Sequence, residues 1–256
     1  MASPHTSPLS IYQETLVNYL ISMARTVERG IQKSMEALTR GAGADSAALA
    51  SEVFLLEPRV NEMEMMIDEH AVRILRAGNL TDEEIRLTVA ALKITNDLER
   101  MGDLAVNLAE RVISLQEMPS AEIPPELNPM ITAVRAMVTK CLGALMHRNL
   151  ILANEVLEAD DVVDRYRDQI FERLMETMAL DAARISPNLQ FVLASRYLER
   201  IADHATNIAE DTIFWLRGLD VRHGRALAMR SDLPPNSARD VMQNSQSVDS
   251  SLNSSL

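Results

Sequence analysis

The sequence predicts an all-α chain, a tandem pair of three-helix bundles, and three observations lead there. Ala, Leu, Met, Glu and Arg dominate while aromatics make up only 4%, which is the residue usage of packed helices rather than of sheets. Apolar residues recur at intervals of three and four over long stretches. The chain also repeats itself. Leu98-Glu99-Arg100, Asp103, Ala105, Asn107, Ala109 and Glu110 return as Leu198-Glu199-Arg200, Asp203, Ala205, Asn207, Ala209 and Glu210, a uniform shift of 100 residues. That many identities exceed what shared amphipathic character explains, and 256 residues accommodate two modest domains.

Each element follows from its apolar spacing and its punctuation. Residues 9–39 carry Leu16, Leu20, Met23, Val27, Ile31 and Leu38, and stop at Gly41-Ala42-Gly43. A second helix over 45–78 takes Asp45 as its N-cap, is carried by Val53, Val60, Met63, Ile67 and Ile74, and ends near Gly78. Pro58, inside it, predicts a kink. Thr81 with Glu84 three residues later is a capping-box pattern that opens a third helix over 82–117. The stretch 118–129 holds Pro119, Pro124, Pro125 and Pro129 and predicts a connector between a first repeat, 9–117, and a second, 130–225. Helices are then predicted over 130–147, 150–180 and 186–216, the last opened by Ser186-Pro187 and closed before Gly218. Residues 1–8 and the Ser- and Asn-rich 226–256 hold too little apolar area to offset the cost of ordering and are expected to be disordered.

The net charge of −12 divides evenly between residues 1–116 and the remainder. With no basic stripe, nucleic-acid binding and unassisted docking onto anionic lipid are disfavoured. Cations and basic protein surfaces are better matched. The single cysteine, Cys141, allows no internal disulfide and suits a reducing compartment. Its neighbours Val138, Leu142 and Leu145 predict a buried thiol. Residues 1–8 carry neither a basic start nor an apolar segment, and no uninterrupted apolar run approaches the ~20 residues of a membrane span. A soluble, cytoplasmic protein is expected.

The repeated residues are not only apolar. At about 100° per residue, Leu98, Met101, Ala105, Leu108 and Val112 form one stripe, with Glu99, Asp103, Asn107 and Glu110 on the opposite side. Each motif is preceded by a second pair. Glu57 with Asn61, and Glu64 and Asp68 along the same arc, precede Glu99 and Asp103; Asp160 with Asp164 precede Glu199 and Asp203. Carboxylates one turn apart offer hard oxygen ligands on one helical face, and two such helices side by side can hold a metal ion or cluster. The candidate metal ligands are therefore Glu57, Asn61, Glu99, Asp103, Asp160, Asp164, Glu199 and Asp203. The competing reading makes them a solvated face, balanced by Arg100 and Arg200.

Other chemistry has less support. His204, beside Asp203, is read as structural rather than as an outer ligand. Di-iron carboxylate bundles place a glutamate three residues before a histidine, whereas Ile67, Ala144 and Ile201 precede His70, His147 and His204. There is no Gly-rich phosphate loop, no Gly-x-Ser-x-Gly, and no evident base for Cys141. A non-enzymatic protein is expected. The alternatives are a carboxylate-bridged metalloenzyme with open coordination positions and an inert structural bundle.

The segments ALKITNDLERMGDLAVNLAE and ASRYLERIADHATNIAED resemble the paired signature helices of the PhoU family, and the terminal WLRGLDVRHG resembles that family's ending. The likeness covers residues 9–225. It implies two three-helix bundles related by pseudo-twofold symmetry, and a homodimer. It also implies a cytoplasmic accessory regulator of phosphate uptake that represses the phosphate-starvation (Pho) response, bridging the transporter ATPase PstB and the sensor kinase PhoR. Family members carry multinuclear iron or zinc clusters on acidic motifs, which the resemblance maps onto the eight residues named above. Asn61 stands where the pattern has a carboxylate, so that site carries one negative charge less. The family's Pro-x-Ala approach to the third helix reads Asn79-Leu80-Thr81-Asp82 here, with Arg86 retained.

Overall fold

A computed structural model describes residues 8–118 and 122–222. Among the described residues there are helices and turns and no strand. The two tails expected to be disordered lie outside the described residues, except Pro8, which opens the first helix.

Helix α1 (Pro8–Arg40) buries Leu16, Leu20, Met23, Val27, Ile31 and Leu38, as their spacing predicts, and ends at Gly41, whose φ of 73° is a left-handed stop. The expected second helix is two: α2 (Ala44–Phe54) and α3 (Glu57–Ala77), parted by Leu55 and Leu56. Pro58 has no N–H to return to the Phe54 carbonyl, and its ring crowds that oxygen, so the chain breaks rather than kinks. It tightens through Leu56 N donating to the Val53 carbonyl at 3.0 Å and Arg59 N to the Leu56 carbonyl at 3.2 Å, then restarts with Pro58 in the first turn of α3. The first half thus has four helices, not three. Asp45 sits inside the first turn of α2, where it faces the helix dipole, and Gly43 is the N-cap in its place.

Helix α4 (Asp82–Gln116) opens on the expected capping box: Glu84 N donates to Thr81 Oγ1 at 3.3 Å, and Thr81 N to Glu84 Oε2 at 2.7 Å. Helix α5 (Leu127–His147) begins three residues before the predicted start. Pro129 falls in its first turn, where a backbone N–H has no helical partner to lose. Asn149 then caps α6 (Leu150–Leu180), accepting from Ile151 N and Leu152 N. A 3-10 turn (Ala182–Arg184) leads into α7 (Ile185–Arg217), again with a proline, Pro187, in the first turn. Gly218 closes it in the left-handed region, and Arg86 Nε donates to the nearby Trp215 carbonyl at 3.4 Å, a cation at the negative end of the dipole.

Helices α4 and α7 form the antiparallel centre, with α1, α2 and α3 against α4 and with α5 and α6 against α7. Their seam is apolar and polar by turns. Lys93 pairs with Asp211, Asp97 accepts from His204 Nδ1 at 2.8 Å and Asn207 Nδ2 at 3.2 Å, and Arg111 Nη1 donates to Gln190 Oε1 at 3.2 Å.

The duplication is legible in the packing. Leu20, Val27, Ile31 and Leu38 of α1 and their counterparts Leu127, Val134, Val138 and Leu145 of α5, 107 residues on, are all buried. The Lys33–Glu52 ion pair at 2.5 Å recurs as Lys140–Glu155 at 2.8 Å. Helix α5 alone is long and apolar enough to cross a membrane among the described residues, but Arg135 and Lys140 interrupt it. Ten of its side chains are buried against the neighbouring helices, as in a core helix. Cys141 is among them; its thiol donates to the Val138 carbonyl, and burial pushes its pKa up, so it is unreactive.

Candidate functional site

In the second half the four sequence-predicted ligands come together between α6 and α7. Continuous helix carries Asp160 and Asp164 past Glu199 and Asp203, and Thr206 Oγ1 donates to Asp160 Oδ1 at 3.4 Å. The carboxylates stand close enough to oppose one another's ionisation. Partial desolvation, then the charges of Glu199, Asp160 and Asp164, push Asp203 up to about 6, although the residue still reaches solvent. Desolvation and then Asp164 raise Asp160 as well. Hard oxygen donors whose negative charge is held at a cost suit a multivalent cation, which would relieve that repulsion.

Sequence reasoning missed Arg167, which already supplies part of that relief. Its guanidinium reaches Glu199 Oε1 at 2.5 Å, Asp168 Oδ1 at 2.9 Å and Asp164 Oδ1 at 3.2 Å. The repeat held a signal for it: the residue 103 positions earlier is Glu64, so the halves carry opposite charges at one equivalent place.

The first half is arranged differently. Glu99 and Asp103 on α4 are adjacent, with Arg100 at 3.4 and 3.6 Å from their carboxylates. Partial burial, then the Asp103 charge, raises the Glu99 pKa, and Glu64 on α3 adds to it. Glu57 and Asn61 stand exposed on α3, and among the described residues no hydrogen bond or ion pair joins them to Glu99 or Asp103. Glu57 is the first residue after the Pro58-induced break, whereas its counterpart Asp160 lies mid-helix. As the side chains stand, no three His, Cys, Asp or Glu residues among those described converge on one metal position. The donor chemistry of both faces fits a hard ion; the α6–α7 geometry requires Arg167 to swing aside.

His204 is turned away from the acidic face, into the α4–α7 seam on Asp97, and Asn207 of the repeated motif follows it there. His70 packs on the rings of Tyr12 and Tyr19 and bonds the Met66 carbonyl through Nδ1. Both histidines are thus engaged away from the acidic residues. His223 lies outside the described residues.

Two copies of a helical unit, docked through the central antiparallel pair of their last helices, α4 and α7, each of which bears part of an acidic face, define a class of tandem helical-bundle proteins. The description of a PhoU domain matches twice, over residues 20–112 and 127–212. The chain belongs to the PhoU family. It is 36% identical to a protein of Pseudomonas aeruginosa named phosphate-specific transport system accessory protein PhoU homolog, over 87% of this chain and 91% of that one. A homologue of the same name in Clostridium acetobutylicum is 31% identical over 81% and 94%. The crystal structure of PhoU from Pseudomonas aeruginosa superposes with a TM-score of 0.76 at 34% identity, covering 82% of this chain and 99% of that one. The regulatory protein PhoU of Streptococcus pneumoniae shares the fold, with a TM-score of 0.73 at 22% identity.

Proposed function

We propose that this chain is a cytoplasmic accessory regulator of phosphate uptake that silences the phosphate-starvation (Pho) response when phosphate is plentiful, acting as a homodimer between the transporter ATPase PstB and the sensor kinase PhoR. The observation that carries the reading is near full-length similarity to proteins named for the phosphate-specific transport system. An accessory role rather than catalysis is also favoured by the acidic faces, which are open and contain no nucleophile paired with a base. The test is a chromosomal deletion with a starvation-gene reporter, and tagged full-length protein captured from detergent-solubilised membranes. Constitutive reporter expression and recovery of the ATPase or the kinase are expected. Normal silencing in the deletion strain refutes the reading.

The acidic faces are proposed as cation sites, one formed by Asp160, Asp164, Glu199 and Asp203 and a weaker one by Glu57, Asn61, Glu99 and Asp103. The raised pKa values of Asp203, Asp160 and Glu99 support this, because a bound cation offsets the repulsion that raises them. An all-oxygen donor set favours a hard ion such as ferric iron over zinc, which usually adds Cys or His. Metal content of purified protein against the Asp160→Asn/Asp203→Asn variant tests it. Equal metal in the two sinks the assignment.

A further inference from the structure

Among the described residues of this acidic chain, three arginines without an ion-pair partner gather at one place. Arg25 and Arg29 lie one turn apart on α1, and Arg59 reaches the same place from the first turn of α3. The three line a concavity of about 650 Å³ together with Asn18, Ser22 and Thr26. All three arginines are exposed, and among the described residues no carboxylate lies within 4 Å of any of their guanidinium groups. Arg40, Arg73 and Arg100 each pair with a carboxylate along their own helix, whereas Arg76, Arg165, Arg196 and Arg200 are exposed and have none within 4 Å among the described residues either; what sets Arg25, Arg29 and Arg59 apart is that the three line one depression. Glu28 also borders the concavity, but its Oε1 accepts from Thr139 on α5. Glu62 borders the next depression, which shares Arg59 and Ser22 with this one.

The duplication is an internal control. By the shifts that align the two halves, the counterparts of Arg25, Arg29 and Arg59 are Thr132, Ala136 and Val162. The fold is therefore built without these charges in the second half, and like charges one turn apart on α1 oppose helix formation rather than favour it. Guanidinium groups present fixed forks of N–H donors that match tetrahedral oxyanions, and Asn18 and Ser22 stand beside them, while the Thr26 hydroxyl is committed to the Ser22 carbonyl of its own helix. An open depression whose rim carries three guanidinium groups, beside Ile21 and Glu28, suits a small anion better than a flat protein face does.

We infer that Arg25, Arg29 and Arg59 form a binding site for a phosphate-bearing small molecule on the α1–α3 face of the first half. The shared chemistry is the phosphoryl group, whether as free phosphate or within a nucleoside triphosphate. The inference stands independently of the regulatory reading and of the acidic faces.

Isothermal titration of the full chain with inorganic phosphate and, separately, with ATP tests it. The site triple, Arg25→Gln/Arg29→Gln/Arg59→Gln, is compared with Arg76→Gln/Arg165→Gln/Arg196→Gln, which changes the net charge equally at exposed arginines elsewhere. Melting by circular dichroism confirms that both variants are folded. Saturable binding by the parent is expected for at least one probe, weakened by roughly tenfold per arginine in the site triple and little changed in the control. Saturation by phosphate identifies the free ion; saturation by ATP alone identifies the ester. No saturable binding of either probe at millimolar concentration, or equal loss in both triples, overturns the proposal.

Discussion

His204 and Asp97, 107 residues apart in sequence, meet at 2.8 Å in the α4–α7 seam, where the histidine Nδ1–H donates to the carboxylate. Asp97 is 8% exposed and has one other side-chain donor, Asn207. Replacing the imidazole leaves a buried acceptor short of a partner, which costs about 1–3 kcal/mol. His204→Ala is expected to lower the unfolding free energy by that amount, read as a shift of the denaturant midpoint at unchanged m-value. Adding Asp97→Asn is expected to cost less than its separate effect, because the two share one interaction.

Asp203 gives the molecule a pH signature. Its folded pKa of about 6 lies above the ordinary 3.8, so the proton is held more tightly in the folded state. This contribution to stability is fully present below about pH 4 and is lost as pH rises through 6. Asp203→Asn is therefore expected to leave the melting temperature unchanged near pH 4 and to raise it near pH 7. Because the group reaches solvent, screening limits the gain to about 1 kcal/mol. A melting series from pH 4 to 8 reads both limbs.

Arg167 competes with any cation for Glu199 and Asp164. Arg167→Ala is expected to destabilise the metal-free protein at low salt and to tighten manganese binding measured by equilibrium dialysis. Weaker manganese binding in the variant contradicts the proposed cation site between α6 and α7.

Pro58 separates α2 from α3, and Pro58→Ala restores the missing N–H donor. Amide exchange at Leu55 and Leu56 is expected to slow as the two helices join. The reach of Glu57 toward α4 should change with it, because Glu57 would then lie mid-helix as Asp160 does.

Local signals were read correctly where local physics decides. The Thr81–Glu84 capping box, the glycine stops at Gly41 and Gly218, and the buried stripe of α1 each depend on neighbours within a turn or two. The break at Pro58 and the early start at Leu127 turn on where a proline sits relative to the first turn, and that position is visible only after the helix start is known. The acidic quartet of the second half was legible because the repeat marked it. The Arg167 bridge was not, since its meaning depends on α7 being alongside. The fate of His204 depended on Asp97 and the arginine concavity on α1 meeting α3; neither relation is inscribed in spacing along one helix.

The central seam also bears on synthesis of the chain. Helix α4 is finished while the start of α7 is still about seventy codons away, so its partner-facing surface waits in water. That surface carries Lys93, Asp97 and Arg111 among its apolar residues, groups that water satisfies until Asp211, His204 and Gln190 arrive. The nascent first half thus carries its own protection against premature association, and the same side chains later dictate the register in which the second half closes on it.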